Sequence, residues 1–296
     1  MAMIPEVKVT AVDLTDKDLK EAIETQAVNS NSSEEYAKAF FGFIMAFFKK
    51  NSIKKIAINE AFFNYVFVWP MVELSAETTN NSDISFVPGE YILHSSVEEY
   101  KADAVVLLEQ YDVELCLVET SGAYKINDAP RFGYDHVKGC FGALTLLNAI
   151  IKKYHNAKLD SILRLVIPFV HIRGDSVHLW GLELCSEKLY AFKKLYKCQI
   201  PTSWEGQESI LSTGVLFYNL AKMLRNLAEQ VKIICKEHNG SKASTLLGTA
   251  PQKDKVDLLK YIDTSIKKPA RGSNYGILLP LETEACNVKF ERASSV

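Results

Sequence analysis

Apolar positions in this chain follow two rhythms, and each predicts a different kind of element. From Asp135 to about Tyr154 they recur at helical spacing, with positions 141, 144, 147 and 151 apolar, and Glu208–His238 repeats the pattern. Both stretches are expected to be long helices. A third helix is expected to start near Ser32, whose spacing to Glu35 is that of a capping box, and to run to about Lys50. Its Phe and Ile residues fall on nearly every side, which implies deep burial or a partner surface. A fourth covers Asn59 to about Trp69, where Pro70 is expected to end or kink it. Near the N-terminus, LTDKDLKEAIETQ reads as a short capped helix.

The second rhythm is the short apolar run. Glu90–His94, Ala102–Glu109 and Val113–Thr120 are expected strands, the last two joined by a turn at Gln110–Asp112. Ala76–Asp83 and Gly122–Phe132, which contains Pro130, are expected loops. Ser161–His171 is a run of β-formers, and a turn at Gly174–Asp175 leads to strands over His178–Leu184 and Lys188–Phe192. The order predicts an α/β fold, a mixed central sheet flanked by helices, with an added strand meander and a long C-terminal helix. Three regions are expected: a helical extension over 1–58, the α/β domain over 59–239, and a flexible or loosely attached tail over 240–296.

Composition narrows the function classes. The formal net charge of -2 gives no global field to hold the protein on nucleic acid or an anionic membrane, so nucleic-acid binding requires a local basic patch. The start of the chain lacks a basic stretch followed by an apolar run, and the longest strongly apolar run, Ala39–Phe48, falls far short of the ~20 residues of a membrane span. Six scattered cysteines without a CxxC pair fit reduced, buried thiols. An intracellular protein, cytoplasmic or nuclear, is expected, with no membrane partner. The apolar helix near residue 40 offers a surface for a protein partner.

Candidate chemistry sits in KADAVVLLEQYDVELCLVETSG, residues 101–122. Alternation puts Leu115, Leu117, Glu119 and Ser121 on one face of a strand and Asp103 on a face with Val105 and Leu107. A carboxylate on an otherwise apolar face is costly unless it is paired or bound to a cation. If the two strands form a hairpin, Asp103 and Glu119 lie near the same open end. That suits Mg²⁺, which takes one or two carboxylates with waters and substrate phosphates. The ordinary alternative is that Asp103 ends a turn and Glu119 meets a basic side chain. Glu60 opens a helix, where an acid also favours the helix dipole. His136 is placed either to touch a phosphate or to cap the helix start. His171 and His178 flank the Gly174 turn but make an incomplete zinc site. Tyr134, Trp180 and Trp204 stack on bases or are buried. No P-loop, dinucleotide fingerprint, nucleophile elbow or kinase signature occurs.

The element order, with KAD then VETSG, resembles the PD-(D/E)XK, or restriction-endonuclease-like, nuclease superfamily, whose core is αβββαβ. More specifically, KAD…VETSG…DHVKGCFG…FVHIRGDSVHLWGLEL is similar to uncharacterised fungal members over about Glu60–His238. The resemblance implies Mg²⁺-dependent (or Mn²⁺-dependent) phosphodiester hydrolysis of DNA or RNA, with Asp103 and Glu119 as metal ligands and Glu60 as an accessory acid. One departure stands out: Ser121 occupies the position of the family's lysine. Serine can position water but brings no charge, so Lys138 or Lys125 is expected to supply it. The alternative is a catalytically inactive nuclease-like domain that serves as a nucleic-acid or protein interaction module.

Overall fold

Nine consecutive residues, Val113–Ser121 (β3), are all buried, which requires cover on both faces of the strand. A computed structural model describes residues 30–50, 52–247, 256–266 and 288–289. The expected helix within 1–29 falls outside the described residues. Around β3, strands β1 (Ile84–Ile92), β2 (Lys101–Leu108), β4 (Val166–Arg173), β5 (Ser176–Ser186) and β6 (Leu189–Gln199) lie side by side in chain order. Every neighbouring pair among the six is antiparallel except β3 and β4. A two-residue β7, Val288–Lys289, pairs with Ala191 and Phe192 of β6.

The described helices of the α type are α1 (Ser30–Lys49), α2 (Ser52–Ile56), α3 (Glu60–Phe63), α4 (Trp69–Glu77), α5 (Ala129–Lys153), α6 (Leu159–Ile162) and α7 (Gln207–Leu246). The protein is thus α/β, a mixed sheet flanked by helices with a long C-terminal helix. Helix α5 makes the crossover from β3 to the parallel β4 and packs on one face of the sheet. Helices α1, α4 and α7 interlock on the other face. Tyr36 donates to the Gly214 carbonyl at 2.8 Å and Ser75 to the Phe217 carbonyl at 2.9 Å.

Several boundaries differ from expectation, each for a physical reason. Pro70 does not end its helix. A π turn over Asn64–Val68 precedes it and places Pro70 in the first turn of α4, where its missing N–H costs nothing. Strand β1 starts at Ile84 rather than Glu90, because a bulge between Pro88 and Tyr91, with Gly89 at φ 98°, lets an edge strand carry a proline. Leu159–Ile162 forms a helical turn, so β4 begins at Val166. Strand β6 continues past Phe192 through three lysines to Gln199. Helix α7 runs past residue 239 to Leu246, and Leu258 and Ile262 are buried in the core. Asp263 holds that segment down, its backbone N–H donating to the Tyr190 hydroxyl at 3.0 Å and its carbonyl accepting from Asn148 at 3.3 Å. The region expected as a flexible tail therefore contains a packed piece.

Helix α1 resolves its two readings by burial. Tyr36, Ala37, Phe40, Phe41, Ile44 and Phe47 lie in the core, Phe43 and Phe48 are partly buried against it, and Met45 is exposed.

The start of α5 matters most for the site. Asp128 caps it, accepting from the Arg131 N–H at 3.0 Å, and Pro130 sits in its first turn. The expected start at Asp135 is thus a full turn and a half late. Close approach to the sheet depends on glycine. A Cβ on Gly139 would stand 2.0 Å from the Phe169 ring, and one on Gly142 would stand 2.7 Å from Leu117 and 2.8 Å from Tyr100. Gly139→Ala is therefore expected to lower stability by about 1–3 kcal/mol, the cost of overpacking. Helix propensity alone would favour alanine by about 1 kcal/mol, so a urea titration showing a gain would refute the close-packing account.

Candidate active site

Register assembles a polar row across the sheet. Glu119 of β3 pairs with His171 of β4, His171 with His178 of β5, and His178 with Lys197 of β6. One row further out, Ser121 pairs with Arg173 and Arg173 with Ser176. Asp103 stands at the start of β2, just beyond the Ala104–Val118 pair. Helix α5 lies over this row and lowers Asp135 and Lys138, one turn apart, onto Ser121 and Glu119.

The Glu119 carboxylate is 2% exposed and meets Lys138 Nζ at 2.7 Å; the lysine side chain is 16% exposed. Tyr100 OH lies 3.2 Å from Glu119 Oε1 and 2.7 Å from the Lys138 carbonyl. The hydroxyl has one proton, and the shorter contact claims it, so Oε1 receives little. Burial pushes the Glu119 pKa well above the ordinary glutamate value, and Asp103 and Asp135 add to this against the opposing Lys138 charge. Burial also works against the Lys138 ammonium, but Glu119, Asp103 and Asp135 outweigh it and hold its pKa above the usual value. Lys138 is therefore firmly charged, while Glu119 has too little positive charge around it.

Asp103 is held differently. Its Oδ2 accepts the Thr120 N–H at 2.6 Å, extending the ladder where backbone pairing stops, and Trp69 donates to its carbonyl at 3.2 Å. Burial raises its pKa to about 6 despite the Thr120 hydrogen bond, and the Glu60 charge pushes in the same direction. Glu60 ties three elements together: its Oε2 accepts from the Gly122 N–H at 2.7 Å and from Arg131 Nη2. It acts as a brace at the strand ends.

Ser121 is fully buried. Its hydroxyl lies 2.7 Å from Asp135 Oδ2 and 2.9 Å from His171 Nε2, so the group expected to position water is spent on protein partners. With Asp135 ionised, Ser121 donates to it and accepts from His171 Nε2–H. Burial holds His171 neutral, and its buried Nδ1 has no hydrogen-bond partner among the described residues. Arg131 Nε reaches Asp135 Oδ2 at 3.6 Å.

Two expected residues are elsewhere. His136 is not a cap; the earlier start of α5 puts it inside the helix, 4.5 Å from the Trp180 ring centroid and 5.8 Å from that of His171. Burial, with Arg173 nearby, lowers its pKa to about 4. Lys125 adopts φ 62°, donates its N–H to the Gly174 carbonyl at 2.8 Å, and lays its ammonium over Tyr124 at 5.5 Å. Asp103, Glu119, Ser121 and Lys138 are thus together, with Glu60 bracing them. Tyr100, Asp135, Arg131 and His171 are further members. Asp135 and Arg131 were discoverable from the Asp128–Pro130 start signal, because Arg131, Asp135 and Lys138 then share a helix face.

Among the described residues no group of three His, Cys, Asp or Glu side chains encloses a metal site. A cavity of about 290 Å³ lies near the opposite end of the β2–β3 hairpin, lined by Tyr91, His94, Glu114 and Lys153 among others, and does not reach the acids. None of the described helices is long and apolar enough to cross a membrane. No protein family, curated protein or solved structure gave a match to the chain.

Proposed function

We propose that this protein is a restriction-endonuclease-like nuclease that hydrolyses phosphodiester bonds with a divalent cation, Mg²⁺ or Mn²⁺. The observation that carries the reading is Lys138 Nζ at 2.7 Å from Glu119, with Asp103 on the adjoining strand. On this reading Lys138, delivered by α5, would stand in for the family's lysine at the position that Ser121 occupies. The order α3–α4, β1, β2, β3, α5, β4 supports an αβββαβ core.

The donor set fits a hard ion, because two carboxylates leave the remaining positions to water and phosphate. Asp103 and Glu119 would hold it. Their raised proton affinity marks buried carboxylates short of positive charge, a deficit that a divalent cation relieves. The bound ion supplies polarisation of the phosphoryl oxygen and a more acidic water. Lys138 places a fixed positive charge beside the acids, where negative charge develops on the phosphoryl group. Asp135, anchored by Ser121, adds negative charge that helps to hold the Lys138 ammonium charged.

A second reading rests on Glu119 itself. With Oε2 taken by Lys138 and only 2% exposure, the carboxylate offers a cation little access, as in an inactive domain retained for binding. Incubating the purified protein with DNA and RNA in Mg²⁺ or Mn²⁺ separates the two. Cleavage that disappears in Asp103→Ala and Lys138→Ala, with folding verified by circular dichroism, is expected. Absence of cleavage on every substrate, with no calorimetric heat from either metal, would sink the catalytic reading.

A further inference from the structure

The polar row does not stop at the acids; it continues into cations. Lys197 closes the row Glu119–His171–His178–Lys197, and Lys194 pairs with Trp180 on the same face of the sheet. Arg173 ends β4 beside Ser121, and its Nε donates to His178 Nε2 at 3.2 Å. The exposed Lys125 is fastened by its backbone to Gly174, next to Arg173. Three of these cations act on His178: burial lowers its pKa to about 2, and Arg173, Lys197 and Lys194 add to the effect. An edge strand commonly carries lysines merely to discourage aggregation. Here the two faces of β6 differ. Lys193, on the far face, is paired with Glu183, whereas among the described residues neither Lys194 nor Lys197 has a carboxylate partner.

We infer that Lys197, Lys194, Arg173 and Lys125 form the track on which the sugar–phosphate backbone of a nucleic acid lies as it leaves the acid pair. This rests on the proposed nuclease reading for its ligand class. Geometry favours a nucleic acid over a compact anion. From β3 to β6 are three inter-strand steps, about 14 Å, the reach of roughly four nucleotides at 3.4 Å each. It also supplies the local basic patch that a chain of net charge -2 requires.

The test is fluorescence anisotropy in EDTA, so that cleavage plays no part, with a short labelled DNA duplex, its single strand and the RNA counterpart. The three probes distinguish the source of the backbone. Lys194→Ala/Lys197→Ala is expected to bind the preferred probe about tenfold more weakly at low salt, with the slope of log affinity against log salt reduced by about 1.8 on duplex. Lys193→Ala, on the far face, is expected to bind as the wild type does. The inference is overturned if the double variant binds as the wild type, if Lys193→Ala weakens binding equally, or if the wild type binds none of the probes. Equal affinity for poly-glutamate would assign the surface to acidic peptides and overturn it too. Cleavage is scored separately with Mg²⁺. Binding through these lysines without cleavage keeps the track and sinks the catalytic reading; cleavage with unchanged binding in the double variant does the reverse.

Discussion

Replacing Lys138 by methionine is expected to destabilise the fold by about 3–5 kcal/mol at neutral pH, the cost of stranding a buried partner charge. Methionine keeps most of the volume, so little of the loss comes from a cavity. What remains is Glu119, 2% exposed, beside Asp103 and Asp135 and without its ammonium. The pH dependence distinguishes this origin from a packing defect. In the variant the folded pKa of Glu119 rises further above its unfolded value. Its contribution is then fully present below the unfolded pKa and lost as pH rises through the folded one. Urea titrations of variant and wild type should therefore diverge as pH increases from acid to neutral. Lys138→Met/Glu119→Gln should recover most of the loss. A deficit that is the same at every pH, or that the second substitution leaves intact, would contradict the account.

The next largest effect belongs to Asp103 and has an unusual sign. Most folded proteins lose stability when acid protonates their carboxylates. Asp103, with a folded pKa of about 6 against an ordinary value of 3.8, binds its proton more tightly when folded. Its contribution is full below pH 4 and disappears as pH rises through about 6. The loss amounts to about 3 kcal/mol as an upper figure. Other groups titrate in the same range, so the informative quantity is the difference between wild type and Asp103→Asn, whose side-chain oxygen can still accept the Thr120 N–H. The asparagine variant is expected to gain on the wild type progressively between pH 4 and 7. If the acid pair takes a divalent cation, millimolar Mg²⁺ should narrow that gap at neutral pH. A difference that stays flat with pH would rule out a perturbed Asp103.

How much of this was readable in the chain follows from which physics each feature obeys. The long helices and the β2–β3 hairpin were legible because their hydrophobic period is unbroken. Alternation together with the expected hairpin put Asp103 and Glu119 near one open end, and the antiparallel pairing of β2 with β3 agrees. Boundaries set by local exceptions were not legible. Pro70 reads as a stop unless the π turn before it is known, and Pro130 reads as loop unless Asp128 is taken as a cap. The second misreading had a consequence, since starting α5 at Asp135 made His136 a terminal residue. In β6 the lysines at 193, 194 and 197 hid the continuation of the expected strand past Phe192, because solvent-facing positions carry no hydrophobic signal. The partners of Ser121 were out of reach for a different reason. His171 lies fifty residues away, and only the parallel register of β3 with β4 brings the two side chains into contact.

That helix–sheet contact has an evolutionary corollary. Gly139 and Gly142 act as a ratchet tooth, since the rings of Phe169 and Tyr100 leave α5 one rotational setting against β3. The eight residues from Asp135 to Gly142 therefore form an inelastic cassette. Adding or removing one residue between Lys138 and Gly139 would turn Lys138 about 100° away from Glu119. The exposed pair Val97–Glu98, in the loop between β1 and β2, lies outside that constraint. Length variation among relatives should gather there, and an insertion scan should find the cassette silent to conservative substitution at its outward positions but intolerant of any change in length.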